Sequence, residues 1–236
     1  MAASARFSCA AALHGALEKE TIYRMRQYSS ADRFIDQFDT ALRTLAGKPV
    51  TTHRAYPAEG IDETSLDAKQ KKHIAGLMRV NHAGEVAAQA LYQGQSITAR
   101  DGHTRDQLEE AAIEENDHLA WTETRLKELN DRPSLLDPFW YAGSVAIGAV
   151  AGSLGDRWNL GFLAETEQQV VSHLESHLEK LPVEDKRSRA IIEQMRKDEL
   201  KHAKTAVNEG GAPLPEPVKK LMQLSSKLMT RTAYWF

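Results

Sequence analysis

The chain has 236 residues, enough to bury a full core as one domain. A net charge of -3, with no extended basic run and no nucleic-acid motif, excludes nucleic acid as a partner. Cys9 is the only cysteine, so intrachain disulfides and thiolate metal clusters are excluded, and any metal must be held by carboxylate and imidazole.

In chain order, residues 1–29 read as an extension with no helical or strand period. The opening is rich in Ala and Ser and carries Arg6 with no acid before Glu18, a weak likeness to a transit peptide. The plainer expectation is a disordered or misassigned start, with Met25 as the initiator. Residues 30–47 predict a short amphipathic helix, with Phe34, Phe38, Leu42 and Leu45 on one stripe and Gly47 as its stop. After a linker with Pro49 and Pro57, Ser65 is expected to open a bundle spanning 65–210. Its first long helix runs to Ala99 along the seam Ile74, Met78, Asn81, Glu85, Ala88, Tyr92, Gln95. Thr104-Arg105-Asp106-Gln107 reads as a capping box that starts the second helix, with the seam Leu108, Ala112, Glu115, Leu119, Thr122, Leu126, Leu129 and His118 at its border.

Residues 135–164 are the most apolar stretch, and Pro138 to Gly155 carry no charge. That length reaches the lower limit of a membrane-spanning helix, but Gly143, Gly148, Gly152 and Gly155 make it poorly hydrophobic. It is expected to be a long crossover that dips into one leaflet or lines a lipid channel; a buried packing helix and a true span are the other readings. The third helix has the seam Leu163, Glu167, Val170, Leu174, Leu178, Leu181. The fourth starts after Pro182, carries Ile192, Met195, Glu199, His202 and Ala206, and ends at Gly210-Gly211. Residues 215–236 set Leu221, Met222, Leu228 and Met229 against Lys219, Lys220, Lys227 and Arg231 and end Tyr234-Trp235-Phe236. That is the pattern of an interfacial helix, with a plain docking helix as the alternative.

The chemistry lies in Glu115-Asn116-Asp117-His118 and Glu199-Leu200-Lys201-His202. Residues three apart share a helix face, so each Glu-x-x-His aims a carboxylate and an imidazole at one point. Glu85 precedes Glu115 by 30 residues and Glu167 precedes Glu199 by 32, so the chain reads as two copies of one helical-hairpin unit. All four glutamates interrupt apolar seams, where an ionised carboxylate costs several kcal/mol and four would repel one another. Two divalent cations remove that cost. A lone Glu from each of two helices with Glu-x-x-His from two others is the signature of ferritin-like di-iron bundles. The expected fold is therefore all-α: a ferritin-like four-helix bundle, with a long apolar crossover between helices 2 and 3 and extra N- and C-terminal helices, in one domain over 30–236.

Neighbouring polar residues are weighed against this set. Glu114 lies about 100° around the helix from Glu115, and Glu165 falls on the side opposite Glu167. His82 could compete as a ligand, but the repeat has no equivalent. Asp117 or Asp198 could accept the second N–H of a metal-bound imidazole. Tyr92 and His173 are possible substrate contacts, with a core tyrosine and a surface histidine as plainer readings. His177, His103, His73, His53 and His14 are expected to be solvated.

Met78-Arg79-Val80-Asn81-His82-Ala83-Gly84-Glu85 and Ala90-Leu91-Tyr92-Gln93-Gly94-Gln95 resemble the demethoxyubiquinone hydroxylase family. The likeness continues through Glu114 to Leu119, Ala164-Glu165-Thr166-Glu167 and Asp198 to His202, and covers roughly residues 30 to 236. Arg132-Pro133-Ser134-Leu135-Leu136 and Thr232-Ala233-Tyr234 look like proteobacterial members. The resemblance implies a membrane-bound di-iron monooxygenase that hydroxylates the ring of 2-polyprenyl-3-methyl-6-methoxy-1,4-benzoquinol with O2 in ubiquinone synthesis. Carried over by position, Glu85 and His118 would bind one iron, Glu167 and His202 the other, and Glu115 and Glu199 would bridge the two iron ions. It further implies membrane lipid as a partner, an NADH-dependent reductase or the quinol itself as electron donor, and a ubiquinone-biosynthesis complex. The expected location is peripheral, on the cytoplasmic face of the bacterial inner membrane, or the matrix side of the mitochondrial one. A ferroxidase or iron-storage bundle, and a non-catalytic membrane-attached quinone-binding bundle, are the rival functions; a hydrolytic two-metal site is a distant third.

Overall fold

The computed structural model describes residues 29–236, and among them are seven helices and no strand. These are α1 Ser30–Leu45, α2 Ala68–Thr98, α3 Gly102–Glu128, α4 Asp137–Ser153, α5 Asp156–Lys180, α6 Lys186–Asn208 and α7 Glu216–Ala233. The expectations for residues 1–28 lie outside the described residues. The chain divides into two units, one ending at Asp39 and the other running from Thr40 to Phe236. Within the first, Phe34 and Phe38 of α1 stack with ring centroids 6.5 Å apart and are both exposed. In the second, Leu42 and Leu45 are likewise exposed.

The second unit is built on α2, α3, α5 and α6. α2 pairs with α3 and α5 with α6, and the two hairpins close on each other through α2 with α5 and α3 with α6. One end of the core is filled by Ile74, Met78, Leu126, Leu174, Ile192 and Met195, the other by Ala88, Tyr92, Leu108, Leu160, Leu163 and Ala206. The glutamates and histidines of the repeat lie between these apolar ends. The linker before α2 is tied down by Arg125, which is fully buried and bonds Glu63 at 2.5 and 3.1 Å, Asp185 at 3.0 Å and Ser188 Oγ at 2.8 Å.

Two helix starts differ from expectation. α2 opens at Ala68, not Ser65: Asp67 accepts the Gln70 amide at 2.8 Å, and the Gln70 side chain accepts the Asp67 amide at 2.9 Å. α3 opens at Gly102, where Asp101 accepts the Thr104 amide at 3.3 Å, so Thr104 belongs to the first turn and does not cap it. At both ends an aspartate does what a hydroxyl was expected to do. A carboxylate accepts as well as a hydroxyl and adds a favourable charge at the helix N-terminus.

The crossover also differs in form. Gly155, at φ +105°, takes a backbone conformation closed to side chains and splits 135–164 into α4 and the first turns of α5. α4 is packed closely on α2. A Cβ on Gly148 would overlap the Leu91 carbonyl, and one on Gly94 would overlap the Val145 carbonyl. These glycines are the condition for two helix backbones to touch, which is why the stretch is glycine-rich yet helical. The opposite face of α4 leaves Phe139, Ile147 and Val150 exposed, as is Leu154 just past its end. No described helix is long and apolar enough to cross a membrane. α7 lies against α2 and α5, with Ala233 packed on Val80 and Ala83 and with Lys219 paired to Glu165 at 3.3 Å.

Candidate metal centre

The middle turns of α2, α3, α5 and α6 bring Glu85, Glu115, His118, Glu167, Glu199 and His202 together, all buried. They fall into two overlapping groups: Glu85, Glu115, His118 and Glu199, and Glu115, Glu167, Glu199 and His202. Within each group the ligand atoms lie within 4.8 Å of one another, close enough to hold a metal ion. Glu115 and Glu199 belong to both. His118 Nδ1 is 2.7 Å from Glu115 Oε2 and 3.0 Å from Glu199 Oε1, while His202 Nδ1 is 3.2 Å from Glu115 Oε1 and 3.4 Å from Glu199 Oε2. Each shared carboxylate thus turns one oxygen to each imidazole, the placement a bridging ligand needs.

The imidazoles are oriented from behind. His118 Nε2 donates to Asp198 at 3.0 Å, and His202 Nε2 donates to Glu114 at 3.1 Å. A proton fixed on Nε2 leaves Nδ1 as the nitrogen that faces the centre. The two acceptors occupy equivalent positions, each immediately before the shared glutamate of the opposite hairpin. Asp198 was one of two candidates for this role. Asp117 does not take it: it accepts the Thr52 amide at 2.8 Å and Arg54 Nε at 2.8 Å. Arg54 also bonds Asp198 at 2.9 Å and lies over Trp121 at 4.7 Å.

The electrostatics of the cluster are those of a cation site. Burial pushes Glu85 and Glu167 well above the usual carboxylate range, and Glu115 and Glu199 respectively push them further. Burial alone would lower both imidazoles. For His118, Glu115 and Glu199 beside it outweigh burial and raise it; for His202, the hydrogen bond to Glu114 and the nearby carboxylates of Glu115 and Glu199 do the same. Glu114, bonded by His202, is held down at about 2. Glu115 Oε1, Glu167 Oε1 and both oxygens of Glu199 are buried without a hydrogen-bond donor. Acceptors facing one another with no donor between them fit a pair of divalent cations in both charge and valence.

Other residues fall apart from the cluster. His82 is buried on α2 but turns to Asp137, with Nδ1 3.4 Å from Oδ2, and is in neither group. Tyr92 is buried two turns beyond Glu85, and its hydroxyl has no hydrogen-bond partner. His173 lies against His177, ring centroids 4.0 Å apart. His177 is only 2% exposed, against the expectation that it is solvated, because α5 turns it into the bundle. Burial lowers His173 to about 4 and His177 to about 2. His73 is also not free in solvent: Nδ1 meets Tyr234 Oη at 2.8 Å and Nε2 the Lys180 carbonyl at 3.2 Å. Sequence reasoning missed Thr52 and Arg54, which sit in an unpatterned linker, and set Glu114 aside. The signal for Glu114 was present, since both copies of the repeat carry an acid immediately before the shared glutamate.

A family model described as "Ubiquinone biosynthesis protein COQ7" matches residues 72–233. Among similar proteins is the 3-demethoxyubiquinol 3-hydroxylase of Chromobacterium violaceum, 59% identical over 203 residues, which take in 86% of this chain and 98% of that one. The protein of that name from Polynucleobacter asymbioticus is 59% identical over 207 residues, 87% of this chain and 99% of its own. The one from Nitrosococcus oceani is 56% identical over 210 residues, 89% and 98%.

Proposed function

The chain belongs to the COQ7 family of ubiquinone biosynthesis proteins, and from that membership we propose that it hydroxylates the ring of demethoxyubiquinol at two iron ions held by Glu85, Glu115, His118, Glu167, Glu199 and His202. The observation that carries this reading is the convergence of two overlapping ligand groups that share Glu115 and Glu199. Reduced iron supplies the O2 chemistry, for which no side chain has the electrons. The overall change is balanced as ring C–H plus O2, two electrons and two protons giving ring C–OH and water.

The chain's own part is to bind, orient and exclude water. Asp198 and Glu114 fix the Nδ1 faces of His118 and His202 toward the centre. The apolar ends of the bundle keep the site dry, which strengthens every interaction inside it. Of the two possible substrate contacts, Tyr92 has the better geometry. It stands seven residues beyond Glu85, about 10 Å along the same helix, with a buried hydroxyl that a quinol oxygen would satisfy; His173 faces His177 instead. The outer faces of α4 and α7, with Phe139, Ile147, Val150, Leu221, Leu224 and Leu228 exposed, support peripheral attachment to the membrane that carries a polyprenyl substrate. Electrons are drawn from an NADH-dependent partner or from the quinol.

The test is iron content together with turnover of demethoxyubiquinol under 18O2. Two irons per chain and one labelled oxygen in the quinol are expected, with both lost in Glu115→Ala. Free oxidation of ferrous ion with no label in the quinol would favour a ferroxidase. Full hydroxylation by Glu115→Ala would remove the centre from the reaction.

A further inference from the structure

The two Glu-x-x-His motifs supply the same ligands but differ in the residues between them. In the second motif these are Leu200 and Lys201; in the first they are Asn116 and Asp117, and both are tied to one stretch of the linker before α2. Asn116 Nδ2 donates to the Val50 carbonyl at 2.9 Å. Asp117, which is buried, accepts the Thr52 amide and Arg54 Nε, each at 2.8 Å, and also the Thr52 hydroxyl. Arg54 then reaches past Asp117 to α6, where its Nη1 donates to Asp198 Oδ2 at 2.9 Å. That is the same oxygen that accepts His118 Nε2 at 3.0 Å, and Gln194 holds the other oxygen of Asp198 at 2.9 Å. Residues 50–54 lie before residue 72, where the family match begins, so this strap adds to the matched core.

Arg54 meets His118 by two routes. One is the hydrogen bond through Asp198. The other is the Trp121 ring, which packs on the His118 ring with centroids 5.3 Å apart and has the guanidinium 4.7 Å from its own centroid. A planar fork that bonds two carboxylates and lies over an aromatic face has little freedom left. The His202 half is supported differently: behind His202, Glu114 is held by Lys201 Nζ at 3.1 and 3.4 Å. The Lys201 side chain is 64% exposed, against 32% for Arg54, so water competes for that contact. Resting on the metal-centre reading above, we propose that Arg54 is a positioning residue for the His118 half of the centre alone. By pinning Asp198 and Trp121 it fixes the direction of His118 Nδ1, and with it the affinity of that half for its ion. A carboxylate behind a ligating imidazole governs metal affinity only while it is held in place. Without Arg54, Asp117 and Asp198 are left as two like charges around one vacated position, and their repulsion drives Asp198 off His118.

The full-length protein, stripped of metal, is titrated with Co2+, whose visible absorption reports binding in the buried site. Arg54→Met is expected to weaken one ion about tenfold, the lower end for a partner behind a ligand, and to spare the other. Two backgrounds show which: His202→Ala keeps an imidazole only in the His118 half, and His118→Ala only in the other. Arg54→Met should weaken the ion of the first background by the same factor and change that of the second by no more than about twofold. Arg54→Lys covers a failure of Arg54→Met to fold, since it keeps a cation beside the two carboxylates but not the fork that spans them. It too should weaken the His118 ion, by less, and a wild-type affinity for Arg54→Lys would overturn the proposal. Equal weakening in both backgrounds would make Arg54 a general brace of the fold and overturn it as well, as would no weakening in either; in all these cases the centre stands. If wild type takes up no Co2+ at all, the centre itself is refuted and the role of Arg54 with it.

Discussion

Glu85, Glu115, Glu167 and Glu199 were legible because each breaks an apolar seam, and a carboxylate in such a place demands a cation or a proton. The two Glu-x-x-His motifs were legible because three-residue spacing has one meaning on a helix. What stayed hidden was the layer behind them. Arg54 reaches Asp117 and Asp198 from a linker with no period, across sequence separations of 63 and 144 residues, and nothing local marks such a contact. His177 was misjudged for a related reason: on one helix its flanking residues look polar, and only the packing of α5 decides that it is buried. That burial has a consequence for stability. The folded chain holds His177 near 2, while the unfolded chain protonates it at its ordinary 6.5. Protons therefore favour the unfolded state as pH falls below 6.5, and the loss continues toward the folded value. Comparing urea unfolding at pH 7.5 and 5.5, wild type should lose about 1 kcal/mol more than His177→Leu. An equal loss in both would place that imidazole in water.

Among the elements, the four bundle helices and their seams were readable, while their first residues were not. Asp67 and Asp101 each took a capping role that had been given to a hydroxyl nearby, because several polar residues at a helix start can cap and the winner depends on where the chain enters. The crossover shows a different limit. Its uncharged run suggested contact with lipid, and its glycines told against a membrane span. The structure gives the glycines their own purpose, the touching of the α2 and α4 backbones at Gly94 and Gly148. Composition cannot distinguish a glycine that loosens a helix from one that lets another helix close in. Gly148→Ala should therefore destabilise the protein by about 1–3 kcal/mol, the range for overpacking, whereas Gly143→Ala, where a Cβ meets nothing within 4 Å, should cost far less. Urea midpoints of the two variants check this, and similar values would mean that α4 is not pressed against α2.

At the scale of the molecule, the apolar outer face of α4 and that of α7 lie on elements that share a cluster, since Ala151 of α4 and Met222 of α7 both pack with Phe162. Exposed leucines beside Lys220, Lys227 and Arg231 on α7 suit an anionic bilayer surface. In flotation with vesicles containing phosphatidylglycerol, Leu221→Gln/Leu224→Gln/Leu228→Gln should float several-fold less than wild type while keeping its metal content. Undiminished flotation would move the membrane contact elsewhere. The reciprocal hydrogen bonds behind the centre carry a further consequence. Because His118 leans on Asp198 and His202 on Glu114, neither hairpin completes its own surroundings; each borrows the residue that finishes the other. A single hairpin of this kind would be fully furnished only by pairing with a twin, and in one covalent chain that same dependence keeps the two repeats from diverging separately around their common centre.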